Sequence, residues 1–191
     1  FFIYTVLAGA VAIALPNTIL SVVVSRVPAG LAAVLNTLSP VITYAMAWAM
    51  GMEKRHNLRL LGIAFGFAGA LMVLGPRTSL PDPAMAPWVA LCLLVPFFYA
   101  LSNVYIARAR PDGVDSIALA ASMQLGAVAC ILPPALALGA PHMPFPPQDA
   151  ADKALLVQCA LSGLGSLLFF EVMRLAGPVF FSQTGFLVTL A

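Results

Sequence analysis

The chain has 191 residues, 62% of them hydrophobic, with nine Lys/Arg, seven Asp/Glu and a formal net charge of +2. Its mean hydropathy is +1.01. So few charges exclude a soluble globule, which needs a mostly polar surface, and so small a net charge excludes a nucleic-acid binder.

Lipid as solvent accounts for the composition, because a helix needs about 20 apolar residues to cross the hydrocarbon core. The first such run covers about 1–25, with Pro16 in its middle. The second covers about 29–50 and contains Pro40; the third covers 58–74. The fourth covers 87–107, with Pro96, and the fifth about 117–138, with Pro133 and Pro134 near its end. The sixth covers 154–173, and a seventh begins near Val179. The connections are short and polar or proline-rich, and none is large enough for a soluble domain. The fold class expected is all-α, a polytopic transmembrane helix bundle.

The connections alternate between two sides of the membrane. One side gathers Lys54, Arg55, Arg59, Arg108, Arg110 and Arg174; the other holds Arg26, Arg77 and Lys153. The positive-inside rule places the first set in the cytoplasm. The chain opens and closes inside apolar runs, so a piece of a longer membrane protein is expected, without a signal peptide.

Val24 and Arg26 recur as Val172 and Arg174, at the same span-turn-span position. Five crossings separate the two turns, an odd number, so equivalent turns face opposite sides. That is an inverted-topology repeat, the arrangement of many secondary transporters. With a five-helix unit, residues 1–75 are the last three helices of one unit. Residues 76–86 form a periplasmic linker, and 87–191 hold three helices and the start of a fourth. The intact protein then has ten helices, about six and a half of them here.

The order of motifs carries a family resemblance. Arg26-Val-Pro-Ala-Gly-Leu-Ala-Ala33 leads to Leu38-Ser-Pro-Val41, then to Gly51-Met-Glu53 and Leu60-Leu-Gly-Ile-Ala-Phe-Gly-Phe-Ala-Gly69. Gly177-Pro-Val-Phe-Phe-Ser-Gln183 and Gly185-Phe-Leu-Val-Thr189 open the last run. This series resembles the EamA family of the drug/metabolite transporter superfamily, with a Met between Gly51 and Glu53 as a departure. The resemblance implies a ten-helix bundle with a central substrate path, in the inner (cytoplasmic) membrane of a bacterium. It also implies transport of small metabolites, often export of amino acids. The alternative is a non-transporting membrane scaffold or sensor.

Candidate path residues come from polar groups and helix breaks inside the spans. Pro16 adjoins Asn17 and Thr18, and Pro40 follows Asn36, Thr37 and Ser39. Proline frees a backbone carbonyl and bends the helix, and such breaks either line a cavity or are static kinks capped locally. Asn36, Asn103 and Gln124 are the deepest amides, and each must find a partner or face the bundle interior. Pro96, Tyr99 and Asn103 share one helix face, as a substrate wall or as glue between helices. Tyr44 and Trp48 lie one turn apart; they wall a cavity, or Trp48 anchors the helix at the interface. Gln183 opens the last span nearer the cytoplasmic mouth.

Glu171 is the one acid well inside an apolar run. It couples protons or simply pairs with Arg174 at i+3. Gly62, Gly66 and Gly69, and likewise Gly163 and Gly165, read as smooth faces for helix packing, with a homodimer as a further possibility for the first set. Cys92, Cys130 and Cys159 lie in apolar runs without metal-ligand spacing, and His56 and His142 lie in loops. No metal, no cofactor and no catalytic set is expected. The partners expected are the lipid bilayer and a small-molecule substrate.

Overall fold

The computed structural model describes residues 2–53, 57–74, 85–137, 139 and 149–184. Its elements are α1 (Phe2–Gly9), a π-helical turn (Ala10–Ala14), α2 (Leu15–Val23), α3 (Ala29–Asn36) and α4 (Ser39–Ala49). Then follow α5 (Asn57–Leu74), α6 (Ala86–Arg108), α7 (Ser116–Ala137) and α8 (Ala150–Ser182). The described residues are helices and short turns throughout, and the protein is an all-α helix bundle. Five stretches are long and apolar enough to cross a membrane: Phe2–Val23, Ala29–Ala49, Ala86–Arg108, Ser116–Ala137 and Ala150–Ser182. α5 has 18 residues and follows the third apolar run.

Each proline break takes a different form. The first span stays continuous through its π turn, where the Leu15 N–H donates to the Ala10 carbonyl five residues back. Pro16, with no N–H to give, follows directly, and the wider turn accommodates its ring. The second span is interrupted outright: α3 ends at Asn36, and α4 restarts with Pro40 in its first turn. There the missing N–H costs nothing, since first-turn donors have no intrahelical partner. α6 runs unbroken past Pro96. All three prolines are fully buried, so the released backbone groups face protein rather than lipid.

Glycine sets two turns. At the end of α4, Gly51 adopts φ +70°. Its N–H donates to the Trp48 carbonyl and the Met52 N–H to that of Ala47, the paired closure that satisfies the last carbonyls of a helix. Gly177 adopts φ 81°, ψ 176° within α8, a region open to glycine alone. Pro178 then starts the next helical turn. The expected turn at 174–178 is made at Gly177, which separates two helical stretches; beyond it Phe181 comes back to Phe169, 4.6 Å between ring centroids. The sixth span also begins earlier than residue 154. Asp149 caps it by accepting the Asp152 N–H at 2.8 Å.

α6 is the central pillar, packed by α2, α3, α4 and α8. α1 packs chiefly on α7, where Gly9 and Gly126 bring two backbones into contact. A methyl group on Gly126 would overlap the Thr5 carbonyl, and one on Gly9 would overlap the Ala127 backbone nitrogen. Gly62, Gly69, Gly163 and Gly165, expected to pack helices, have no described atom within 4 Å of where a Cβ would lie. The close approach of small residues thus occurs at a different helix pair.

The ends of the bundle are distinguishable. Arg26 stacks over Trp88, 5.2 Å from the ring centroid, at the start of α6. Arg108, at the end of α6, donates to the Met50 carbonyl, and Arg110 donates to that of Phe170. The Arg26 and Arg174 turns therefore lie at opposite ends. Trp48 is 55% exposed beside the Arg108 end, as suits an interfacial ring. Lys54, Arg55, His56, Arg77, His142, the prolines of 140–148 and the motif at 185–189 lie outside the described residues.

Candidate functional site

A cavity of ≈ 330 Å³ opens between the first span, α6, α7 and α8. The π turn and Pro16 shape its first wall, presenting Ala12, Ile13 and Asn17. Asn17 Nδ2 donates to the Ile13 carbonyl at 2.8 Å, satisfying an acceptor at the irregular turn. α6 contributes Tyr99, Ser102 and Asn103. The Ser102 hydroxyl donates to the Tyr99 carbonyl at 2.8 Å.

α7 presents Met123 and Gln124, and α8 presents Ser162, Gly165, Ser166 and Phe169, which share one helix face at i, i+3, i+4 and i+7. Gln124 Nε2 donates to Ser166 Oγ at 2.8 Å, and Ser166 Oγ donates to the Ser162 carbonyl at 2.8 Å. This relay ties α7 to α8 and leaves the Gln124 amide oxygen, Oε1, without a described hydrogen bond. Phe181, beyond the Gly177 kink, meets Phe169 edge-on at 4.6 Å and closes one corner.

Asn103 is the distinctive group. It is 5% exposed, lines the cavity, and forms no hydrogen bond with any described residue. A polar occupant of the cavity gives its carboxamide a hydrogen-bond partner. No Asp, Glu, Lys, Arg or His lines this cavity. Its surface is mainly apolar and aromatic, with amides and hydroxyls from Asn17, Ser102, Asn103, Gln124, Ser162 and Ser166, suited to a small solute of zero net charge.

Of the residues expected on the substrate path, Asn17, Tyr99, Asn103 and Gln124 meet here. Three do not. Tyr44 is packed with Ala47, Ile63, Val104 and Val179 in a separate apolar core, and with Trp48, Ala45 and Leu60 it lines another cavity of ≈ 300 Å³, as its spacing from Trp48 suggested. Gln183 lies beside Leu58, Gly62 and Leu175 on the far side of the kink. Asn36 lines a second cavity, which it shares with Pro96 and Tyr99. Among the breaks, Pro16 shapes the main cavity, Pro96 lines the second, and Pro40 is buried in the α4 packing. Ser162 and Ser166 were not anticipated. Their i, i+4 spacing beside Gly165 in an apolar span is the signal that finds them.

Glu171 pairs with Arg174 within one turn at 2.7 Å, and both are substantially exposed. This is the intrahelical ion pair rather than a group held in the cavity. Among the described residues, no cluster of three His, Cys, Asp or Glu is placed to hold a metal ion.

Residues 1–75 match the profile of the EamA-like transporter family. That segment is EamA-like. It spans α1 to α5, and so includes the Pro16 wall of the cavity and the broken α3–α4 span. No curated protein and no solved structure matches the chain. The EamA-like segment and the apolar helices together support a multi-pass membrane protein. A transporter family also fits the expectation of no enzymatic activity.

Proposed function

We propose that the chain forms part of a secondary transporter that exports amino acids or related small metabolites across a bacterial inner membrane by alternating access. The observation that carries this reading is the uncharged cavity between spans, mainly apolar but with the amides of Asn17, Asn103 and Gln124 along its wall. A solute of zero net charge suits such a surface, provided that any charges it carries are paired within it or hydrogen-bonded by the amides and hydroxyls. Alternating access is supported by the Arg26 and Arg174 turns, equivalent in the proposed repeat and located at opposite ends of the bundle. The repeat boundary falls between 75 and 87. The end bearing Arg108, Arg110 and Arg174 is then cytoplasmic.

The test is flux by the full-length protein in proteoliposomes. Radiolabelled neutral amino acids and uncharged amides should move down a gradient faster than in protein-free vesicles. Organic cations and dicarboxylates should not, because the cavity holds no counter-charge. Transport of permanent cations alone would overturn the proposed substrate class. Absence of flux for every solute would favour a scaffold or sensor.

A further inference from the structure

The second cavity has a chemistry of its own. It measures ≈ 250 Å³ and lies between α2, α3 and α6, towards the Arg26 end. Leu20, Val24, Ala32 and Val95 make its wall apolar. Tyr99 borders both cavities, so its ring is a partition between the central space and this one. Cys92, 2% exposed, also lines it.

One polar side chain stands out there. Asn36 Oδ1 is buried with no hydrogen-bond partner among the described residues. The other such atom, Tyr4 Oη, belongs to a packed core with Ile106, Leu119 and Phe170. Asn36 instead borders open volume. It stands at the last residue of α3, directly before the break in the second span. Rotation of its carboxamide about χ2 turns the oxygen towards an entering donor. No Asp, Glu, Lys or Arg lines the cavity. An ammonium ion facing one amide oxygen would stay poorly compensated, whereas a neutral O–H or N–H would be fully matched.

We infer that this second cavity is a separate binding subsite for a neutral, mainly apolar solute carrying one hydrogen-bond donor, which Asn36 accepts and the Tyr99 ring flanks. It goes beyond the transport reading, since it is a second site with a different selectivity. Its test measures occupancy rather than flux, so failure of either reading is visible separately.

The native thiol is the reporter. In full-length protein with Cys130→Ala, Cys159→Ala and any cysteine outside these 191 residues replaced, Cys92 is alkylated with N-ethylmaleimide in liposomes. Phenol and toluene are the probes, compared at equal concentration in the bilayer; they differ by a hydroxyl in place of a methyl group. Phenol should slow alkylation at about fivefold lower concentration than toluene, the scale of one net hydrogen bond. Asn36→Leu should erase that difference, and Val95→Phe, which fills the cavity, should remove protection by both. Equal protection by the two probes in the Asn36 protein overturns the subsite without need of a variant. So does no protection by phenol, or a preference for phenol that survives in Asn36→Leu.

Discussion

Gly126→Leu should prevent assembly of the bundle, while Gly163→Leu should leave it intact. The Gly126 hydrogen faces the backbone of α1, where even a methyl group overlaps the Thr5 carbonyl. Backbone atoms of two helices have no rotamer with which to yield, so α1 must move away from α7. Overpacking of this kind costs about 1–3 kcal/mol, and more where backbone is the obstacle. Displacing α1 also strips cover from Tyr4 and Ala8, which pack with Leu119, Ala120 and Met123. Gly163 has no described neighbour within 4 Å, so leucine enters open space. The check is thermal unfolding in detergent with size-exclusion chromatography. Gly126→Leu should yield little monodisperse protein, and Gly163→Leu should match the parent. Equal behaviour of the two variants would contradict the α1–α7 contact.

Asn103→Leu should abolish most transport without loss of folded protein. Leucine has the same number and branching of side-chain heavy atoms as asparagine, and Asn103 makes no hydrogen bond to a described residue. Removing its amide therefore leaves no described protein group orphaned. Stability should change little, because no hydrogen bond to a described residue is lost. The solute loses its partner instead. One or two hydrogen bonds strengthened during passage correspond to about a tenfold or greater fall in flux. Initial rates in proteoliposomes, normalised to reconstituted protein, decide the matter. A fully active Asn103→Leu protein would remove Asn103 from the path.

Much of this was legible in the sequence because lipid simplifies it. Apolar runs about 20 residues long have few outcomes other than spanning helices, and five described helices fall on them. The amides were legible for the same reason: a carboxamide in a span must meet a partner or a cavity. Asn17, Tyr99, Asn103 and Gln124 came from three separate spans and meet at one cavity. Which polar residues meet is a tertiary property, however. Tyr44 sits on a membrane-spanning stretch like the others, and only the position of α4 against α6 and α8 carries it into a core.

The glycines show the limit most plainly. Gly62 and Gly69 have the regular spacing of a packing face, yet no described atom approaches them. Gly9 and Gly126 have no such spacing, because each meets its partner at a single crossing point of two helices. Periodicity reports a face of one helix. A crossing point depends on the angle between two, which no local pattern encodes. The π turn was hidden likewise: Pro16 marks a break, but its form depends on what surrounds it.

The most direct measurement is access to the cavity from each side of the membrane. Ala12 lines its wall on the π turn. A single Ala12→Cys, in full-length protein with every native cysteine replaced, is treated with a small membrane-impermeant thiol reagent. The reagent is applied from the outside of sealed vesicles, and separately from the inside. The account predicts modification from both sides in the same preparation, with a transported solute slowing both reactions. Modification from one side only, unchanged by any solute that the protein moves, would contradict alternating access through this cavity.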